Sequence, residues 1–143
     1  MKVRDVLHTK GHQVHAVSPN ASIQDVVHAL MAHRIGALLV IDEDGITRGI
    51  VTERDVLREC AGVADRLHRV PVRSAMTADL VVGLLDDDID EAMGTMTRHR
   101  IRHLPVMDGG RVAGLVSIGD LVKACLDEAA SENGFLREYI HGR

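Results

Sequence analysis

The stretch Gly49-Ile-Val-Thr-Glu-Arg-Asp55 is written a second time as Gly114-Leu-Val-Ser-Ile-Gly-Asp120. Gly49 and Gly114, Thr52 and Ser117, Asp55 and Asp120 all stand 65 residues apart. Each copy reads as a short apolar strand that ends on a hydroxyl residue and turns directly into a helix, with a carboxylate three residues later. The hydroxyl is a good N-cap, and the carboxylate falls in the first helical turn, where the positive end of the helix dipole favours it. Two chemistries fit this arrangement. In one it is a capping box and nothing more. In the other, the free N–H groups of the helix end meet a phosphate, and the carboxylate accepts hydrogen bonds from the two hydroxyls of a ribose.

Working outward, the repetition covers most of the chain. His33-Arg34-Ile35-Gly36-Ala37-Leu38-Leu39-Val40 stands 66 residues before His99-Arg100-Ile101-Arg102-His103-Leu104-Pro105-Val106. The spacing falls from 66 to 65 because the turn Asp42-Glu43-Asp44-Gly45 is one residue longer than Asp108-Gly109-Gly110. Acidic residues and glycines between two apolar runs predict β-hairpins. Upstream, Ser22 to His33 places Ile23, Val26, Val27, Leu30 and Met31 at helical spacing, and Asp88 to His99 repeats this with Ile89, Ala92, Met93 and Met96. These stripes are read as core. Before each helix comes a short strand, Val14–Val17 closed by Ser18-Pro19-Asn20, and Leu80–Leu85 closed by Asp86-Asp87-Asp88. Val3–Leu7 is read as a short helix or the start of a strand, with its echo at Val72–Met76 after Pro71.

The unit is therefore strand, helix, strand, strand, helix, written twice. The expected fold is α+β, two β-α-β-β-α repeats packed as a pseudo-symmetric pair, with repeat one at 1–66, repeat two at 67–128 and a C-terminal helix at 129–143. A repeat of this length is too long for a solenoid unit, and neither half need fold alone.

The repeats carry the pattern of a known family. The His-Arg-Ile run into the second strand, the hairpin, and the turn of glycine, two apolar residues, a hydroxyl residue and an aspartate three further on resemble a tandem pair of cystathionine-β-synthase (CBS) domains, a Bateman module. The resemblance runs from Val3 to about Asp127. It implies a regulatory sensor without catalytic activity that holds adenosyl ligands in two clefts between the repeats: AMP first, with ADP, ATP, NAD or S-adenosylmethionine as the others. By the same resemblance Thr52 and Asp55 serve one cleft, and Ser117 and Asp120 the other, the hydroxyl contacting phosphate and the aspartate ribose. The backbone after strand one (Ser18, Asn20) and entering strand two (Ile35, Gly36, Ala37; Arg102, His103, Leu104, Pro105) resembles the family's adenine-holding edge. The family resemblance also implies a homodimer, and a regulated partner protein that the sequence does not name.

Charge near the turns fits a phosphorylated ligand. Arg54 lies inside the first turn, and Arg100, Arg102 and His103 precede the second copy of strand two. The second turn has Ile118-Gly119 where the first has Glu53-Arg54, so the two sites differ and the second lacks one cation. The competing class is a structural or interaction protein whose clefts stay empty and whose turns are only caps. An enzyme ranks third, because no nucleophile with its base and no paired carboxylates stand out.

Composition bounds the rest. The chain has 143 residues, of which 45% are hydrophobic, enough for one compact domain or two halves sharing a core. There is no Trp, one Tyr (Tyr139) and one Phe (Phe135). A net charge of −4 gives no reason to expect nucleic acid or an anionic membrane as partner. Without a signal peptide or a long apolar run, the expectation is a soluble, cytoplasmic protein. Cys60 and Cys125, again 65 apart, read as small buried thiols. His8, His12 and His15 share no helical face and gather no completing ligand, so they read as surface histidines and no metal is expected. In the tail, Phe135, Leu136, Tyr139 and Ile140 fall on one helical face, with Gly142 as a stop. That face suits either core or a second subunit.

Overall fold

The computed structural model describes the backbone of residues 1–140 and the side chains of residues 1–62 and 65–132. Two compact units emerge, Val14–Leu80, and Met1–Gln13 together with the chain from Val81 onward. They are cut at different places from the repeats as these run along the chain, because the first helix leaves its own repeat and joins the second.

The first unit contains β1 (Ala16–Val17), α2 (Ile23–His33), β2 (Ala37–Ile41), β3 (Thr47–Thr52) and α3 (Glu53–Val63), followed by short 3-10 turns at Ala64–Arg69 and Val72–Ser74. The second contains α1 (Val3–Lys10), β4 (Gly83–Leu84), α4 (Ile89–His99), β5 (His103–Asp108), β6 (Arg111–Ser117) and α5 (Ile118–Ile140). Each holds a three-stranded sheet, β1-β2-β3 or β4-β5-β6, whose first pair is parallel and second antiparallel. This is the expected α+β repeat. The first strands are only two residues long, shorter than the apolar runs that predict them, and both lie at a sheet edge, where short strands are the rule.

Local chemistry sets the element ends. Ser22 opens α2 with a reciprocal cap: its Oγ accepts from Asp25 N–H at 3.1 Å, and its own N–H donates to Asp25 Oδ2 at 2.9 Å. The helices α2 and α4 close on Arg34 and Arg100, both left-handed at φ 55°. In the first hairpin Asp42 Oδ1 accepts from the N–H groups of Asp44 and Ile46, while Oδ2 takes Arg48 Nε at 2.6 Å. In the second, Gly109 and Gly110 both have positive φ, as a tight primed turn demands.

Each unit has its own core. Ile23, Val26 and Leu30 of α2 close over Leu38, Val40 and Val51 in the first. Ile89, Ala92 and Met96 of α4 close over Leu104, Val106 and Val116 in the second, with Val3, Val6 and Leu7 of α1. The helical stripes are thus core along one line, but not to their edges. Met31 is 73% exposed, because it falls a fifth of a turn or more from the line of Ile23, Val26 and Leu30. It faces a shallow groove of about 530 Å3 with Val27, Leu30, Val56 and Leu57.

The segments Val3–Leu7 and Val72–Met76 have crossed roles. Leu7 covers Gly114 of β6, where an added Cβ would lie 2.6 Å from Leu7 Cδ2. Met76 and Thr77 cover Gly49 of β3, where an added Cβ would lie 2.6 Å from Thr77 O. Each segment therefore packs on the strand of the repeat that it does not precede: α1 on the second, its echo on the first. The copies also differ in form, an eight-residue helix against a single 3-10 turn.

The expected C-terminal helix is present as part of α5, which runs unbroken from Ile118 to Ile140. The stripe Phe135, Leu136, Tyr139 and Ile140 lies outside the residues whose side chains are described, and Gly142 outside the described residues altogether. Both thiols are free and half-buried rather than buried; Cys125 donates to Met93 Sδ at 3.6 Å.

Candidate functional site

In both units the second strand runs into the turn from the neighbouring side. Ala37 lies opposite Thr52, and Gly36 O accepts from Glu53 N–H at 3.0 Å. His103 lies opposite Ser117, and Arg102 O accepts from Ile118 N–H at 2.8 Å. Ile35, Gly36 and Ala37 are thereby gathered at the first turn, and Arg102 and His103 at the second. Leu104 and Pro105 are buried, Leu104 as a core side chain, so only their backbone is on offer.

Ser18 and Asn20 are not gathered there. The register Val17 to Val40 puts Ser18 beside Ile41, at the hairpin end of β2. Four residues of strand, about 13 Å, separate that end from Ala37. Asn20 Oδ1 instead accepts from Arg73 Nη1 at 2.6 Å, and Ser18 Oγ accepts from Asn20 N–H at 3.2 Å. Within this unit the pair stabilises a loop remote from the turn. The sequence spacing hides this, because being next to a strand does not say which end of the sheet is reached.

The first turn is closed upon itself. Asp55 is 5% exposed, the one buried charged residue among those described. Its Oδ2 accepts from Thr52 N–H at 2.9 Å and Thr52 Oγ1–H at 3.2 Å, and Thr52 Oγ1 accepts from Asp55 N–H at 3.4 Å. The other oxygen, Oδ1, takes Arg58 Nη1 at 3.3 Å. Arg54 lies exposed on the outer face of α3.

The second turn is more open. Asp120 Oδ2 accepts from Ser117 N–H at 2.8 Å, and Ser117 Oγ accepts from Asp120 N–H at 3.1 Å. The cation that the sequence finds missing comes from the far end of the chain. Lys10 Nζ, at the end of α1, donates to Asp120 Oδ2 at 2.5 Å and to Leu115 O at 2.7 Å. Half-burial pushes the Asp120 carboxyl up, but the Lys10 ammonium and the Ser117 donors outweigh it and hold the group below the usual 3.8. Asp120 is therefore an anion at neutral pH. Arg102, whose carbonyl meets the turn, is exposed, and so is Arg100 at the end of α4.

Sequence reasoning missed Lys10, Arg58, and a stacked pair, His15 on His33, with ring centroids 3.7 Å apart. His15 is thus not an isolated surface histidine. Arg58 carries a signal, since it stands three residues after Asp55 on a helix. Lys10 carries none, because nothing in its segment tells which repeat it will pack against. Among the described residues no three His, Cys, Asp or Glu side chains come together to hold a metal, and no helix is long and apolar enough to cross a membrane.

Two β-α-β-β-α units, each ending on a hydroxyl–aspartate helix turn, define a tandem-repeat module rather than a single-site domain. The chain belongs to the CBS domain family, which matches it twice, at residues 3–62 and 72–127. It is 37% identical over 120 residues to the CBS domain-containing protein YhcV of Bacillus subtilis, covering 83% of this chain and 81% of that one. A CBS-domain-containing protein of Agrobacterium tumefaciens has the same fold at a TM-score of 0.84, with 43% identity over 87% of this chain and 98% of its own. A CBS domain pair solved in complex with 5′-methylthioadenosine and S-adenosyl-L-methionine superposes at a TM-score of 0.78, with 25% identity over 90% of this chain and 98% of its own.

Proposed function

We propose that this protein is a non-catalytic regulatory module that binds an adenosyl ligand at its hydroxyl–aspartate turns and passes occupancy to a partner protein. The observation that carries the reading is the adenosyl pair held by a related CBS domain pair, together with two turns in this chain that join a carboxylate to a helix N-terminus. AMP is the first candidate and ADP, ATP and NAD are the others, since a helix end and nearby cations favour a phosphate. A ligand can shift the module only by the difference in its affinity for two states, so the partner must read a change that occupancy favours.

Calorimetric titration of the whole chain with AMP, ATP, NAD and S-adenosylmethionine tests this. Saturable binding of one ligand is expected, and Asp120→Ala should weaken it by about ten- to hundredfold, the effect of losing hydrogen bonds to a charged group. Asp55→Ala should weaken it less. No binding of any of the four by the folded protein would sink the reading. The cap-only alternative keeps one supporting observation, the complete engagement of both Asp55 oxygens, and it applies to the first turn alone.

We also propose a homodimer, with a second copy as the occupant of the apolar helix faces. Leu57 is 70% exposed beside Met31, and its repeat equivalent Val122 is exposed with Leu126. A chain with two like apolar faces offers a copy of itself the same kind of surface, as a two-fold interface requires. Leu57→Glu should turn a light-scattering dimer into a monomer, and a monomeric parent protein at high concentration would rule the dimer out.

A further inference from the structure

The segment Val3 to Lys10 and its echo Val72 to Asp79 differ in charge at their last position, lysine in one and aspartate in the other. Because the segments cross, the lysine serves the second turn. Three attachments fix the end of α1 there. Leu7 fills the space over Gly114, Lys10 Nζ binds Leu115 O and Asp120 Oδ2, and His12 Nδ1 lies 2.9 Å from Ala113 O. The ammonium is thus placed by packing on β6, and its side chain is still 39% exposed.

We infer that Lys10 is the anion-recognition residue of the second turn, selecting adenosyl ligands that carry a phosphate over those that do not. This rests on the adenosyl reading above. An ammonium has three N–H donors. Two are taken, by Leu115 O and Asp120 Oδ2, and among the described residues no acceptor takes the third. Asp120 is in the matching position: Oδ2 accepts from Ser117 and Lys10, while Oδ1 accepts from no described residue. A free donor on a cation and a free oxygen on a carboxylate therefore stand side by side at the N-terminus of α5. A phosphate requires the first and a ribose hydroxyl the second. The first turn offers no such pair, since both oxygens of Asp55 are engaged and its guanidinium partner, Arg58, stands on the same helix. A phosphorylated ligand should accordingly prefer the second turn.

The test is titration of the whole chain, parent and Lys10→Met, with AMP and with adenosine, which differ only in the phosphate. Lys10→Met should weaken AMP by about tenfold or more and leave adenosine within about twofold, and Lys10→Arg should recover most of the AMP affinity. In the parent protein, AMP but not adenosine should shift the Lys10 side-chain resonance, a measurement that requires no variant to fold. Failure of the parent to bind either compound overturns this inference, and the adenosyl reading falls with it if ATP, NAD and S-adenosylmethionine also fail to bind. Binding of AMP that Lys10→Met leaves unchanged, strengthens, or weakens equally with adenosine overturns the role of Lys10 alone.

Discussion

Leu38→Ala and Leu104→Ala should each lower the unfolding free energy by about 2–5 kcal/mol, read as a fall in the urea midpoint. The two positions are repeat equivalents on the central strands β2 and β5, and both side chains are fully buried. Leu38 lies in the core with Ile23, Val26 and Leu30. Leu104 lies with Ile89, Ala92 and Met96, and with Val3 and Leu7 from the chain's start. Truncation removes the transfer free energy of the lost carbons and leaves a cavity that packed neighbours fill only in part. Domains of this size have about 5–15 kcal/mol in all, so the loss is a large share of the total. A cost below 1 kcal/mol at either position would contradict its placement in the core.

Gly49→Ala should cost about 1–3 kcal/mol, and more than Gly114→Ala, although the two glycines occupy the same place in the repeat. The difference lies in what stands over each. At Gly49 the new methyl would meet Thr77 O at 2.6 Å and Met76 Sδ at 2.9 Å. Thr77 is held by two backbone hydrogen bonds to Ile50, at 2.9 and 3.0 Å, and cannot retreat without breaking them. At Gly114 the obstacle is the end of the Leu7 side chain, which can change rotamer within its core at a smaller cost. Equal melting temperatures for the two variants would mean that the backbone over Gly49 yields as easily as a side chain.

Much of this molecule is legible one residue type at a time. The hairpins follow from Asp-Gly and Gly-Gly turns, the helix starts from Ser22 and Asp88, and the doubled unit from the spacing between Gly49 and Gly114. These rest on contacts within a few residues, where spacing and local chemistry are the whole cause. The same holds for the turns themselves, since Thr52 with Asp55 and Ser117 with Asp120 close reciprocal caps through atoms three residues apart.

The edges of those patterns are less legible. Met31 belongs by spacing to the buried stripe of α2 and is exposed, because a helix presents its apolar arc to a partner of finite width. Ser18 and Asn20 follow the first strand and lie at the hairpin end of its sheet, away from Thr52, because strand register is set by pairing and not by order along the chain.

The family, the α+β repeat and the chemistry of the two turns can be read from residue order alone, since all arise from local spacing written twice. That the two turns are unequal is legible in Glu53-Arg54 against Ile118-Gly119, but which cation each aspartate meets is settled by packing: Arg58 on Asp55 and Lys10 on Asp120. Val3–Lys10 and Val72–Asp79 share the Val-Arg start and an apolar residue at Leu7 and Met76, and no local preference tells either one which strand to cover. The packing of Leu7 into the space above Gly114 sends α1 to the second repeat. With it goes Lys10, across 110 residues of chain, to Asp120.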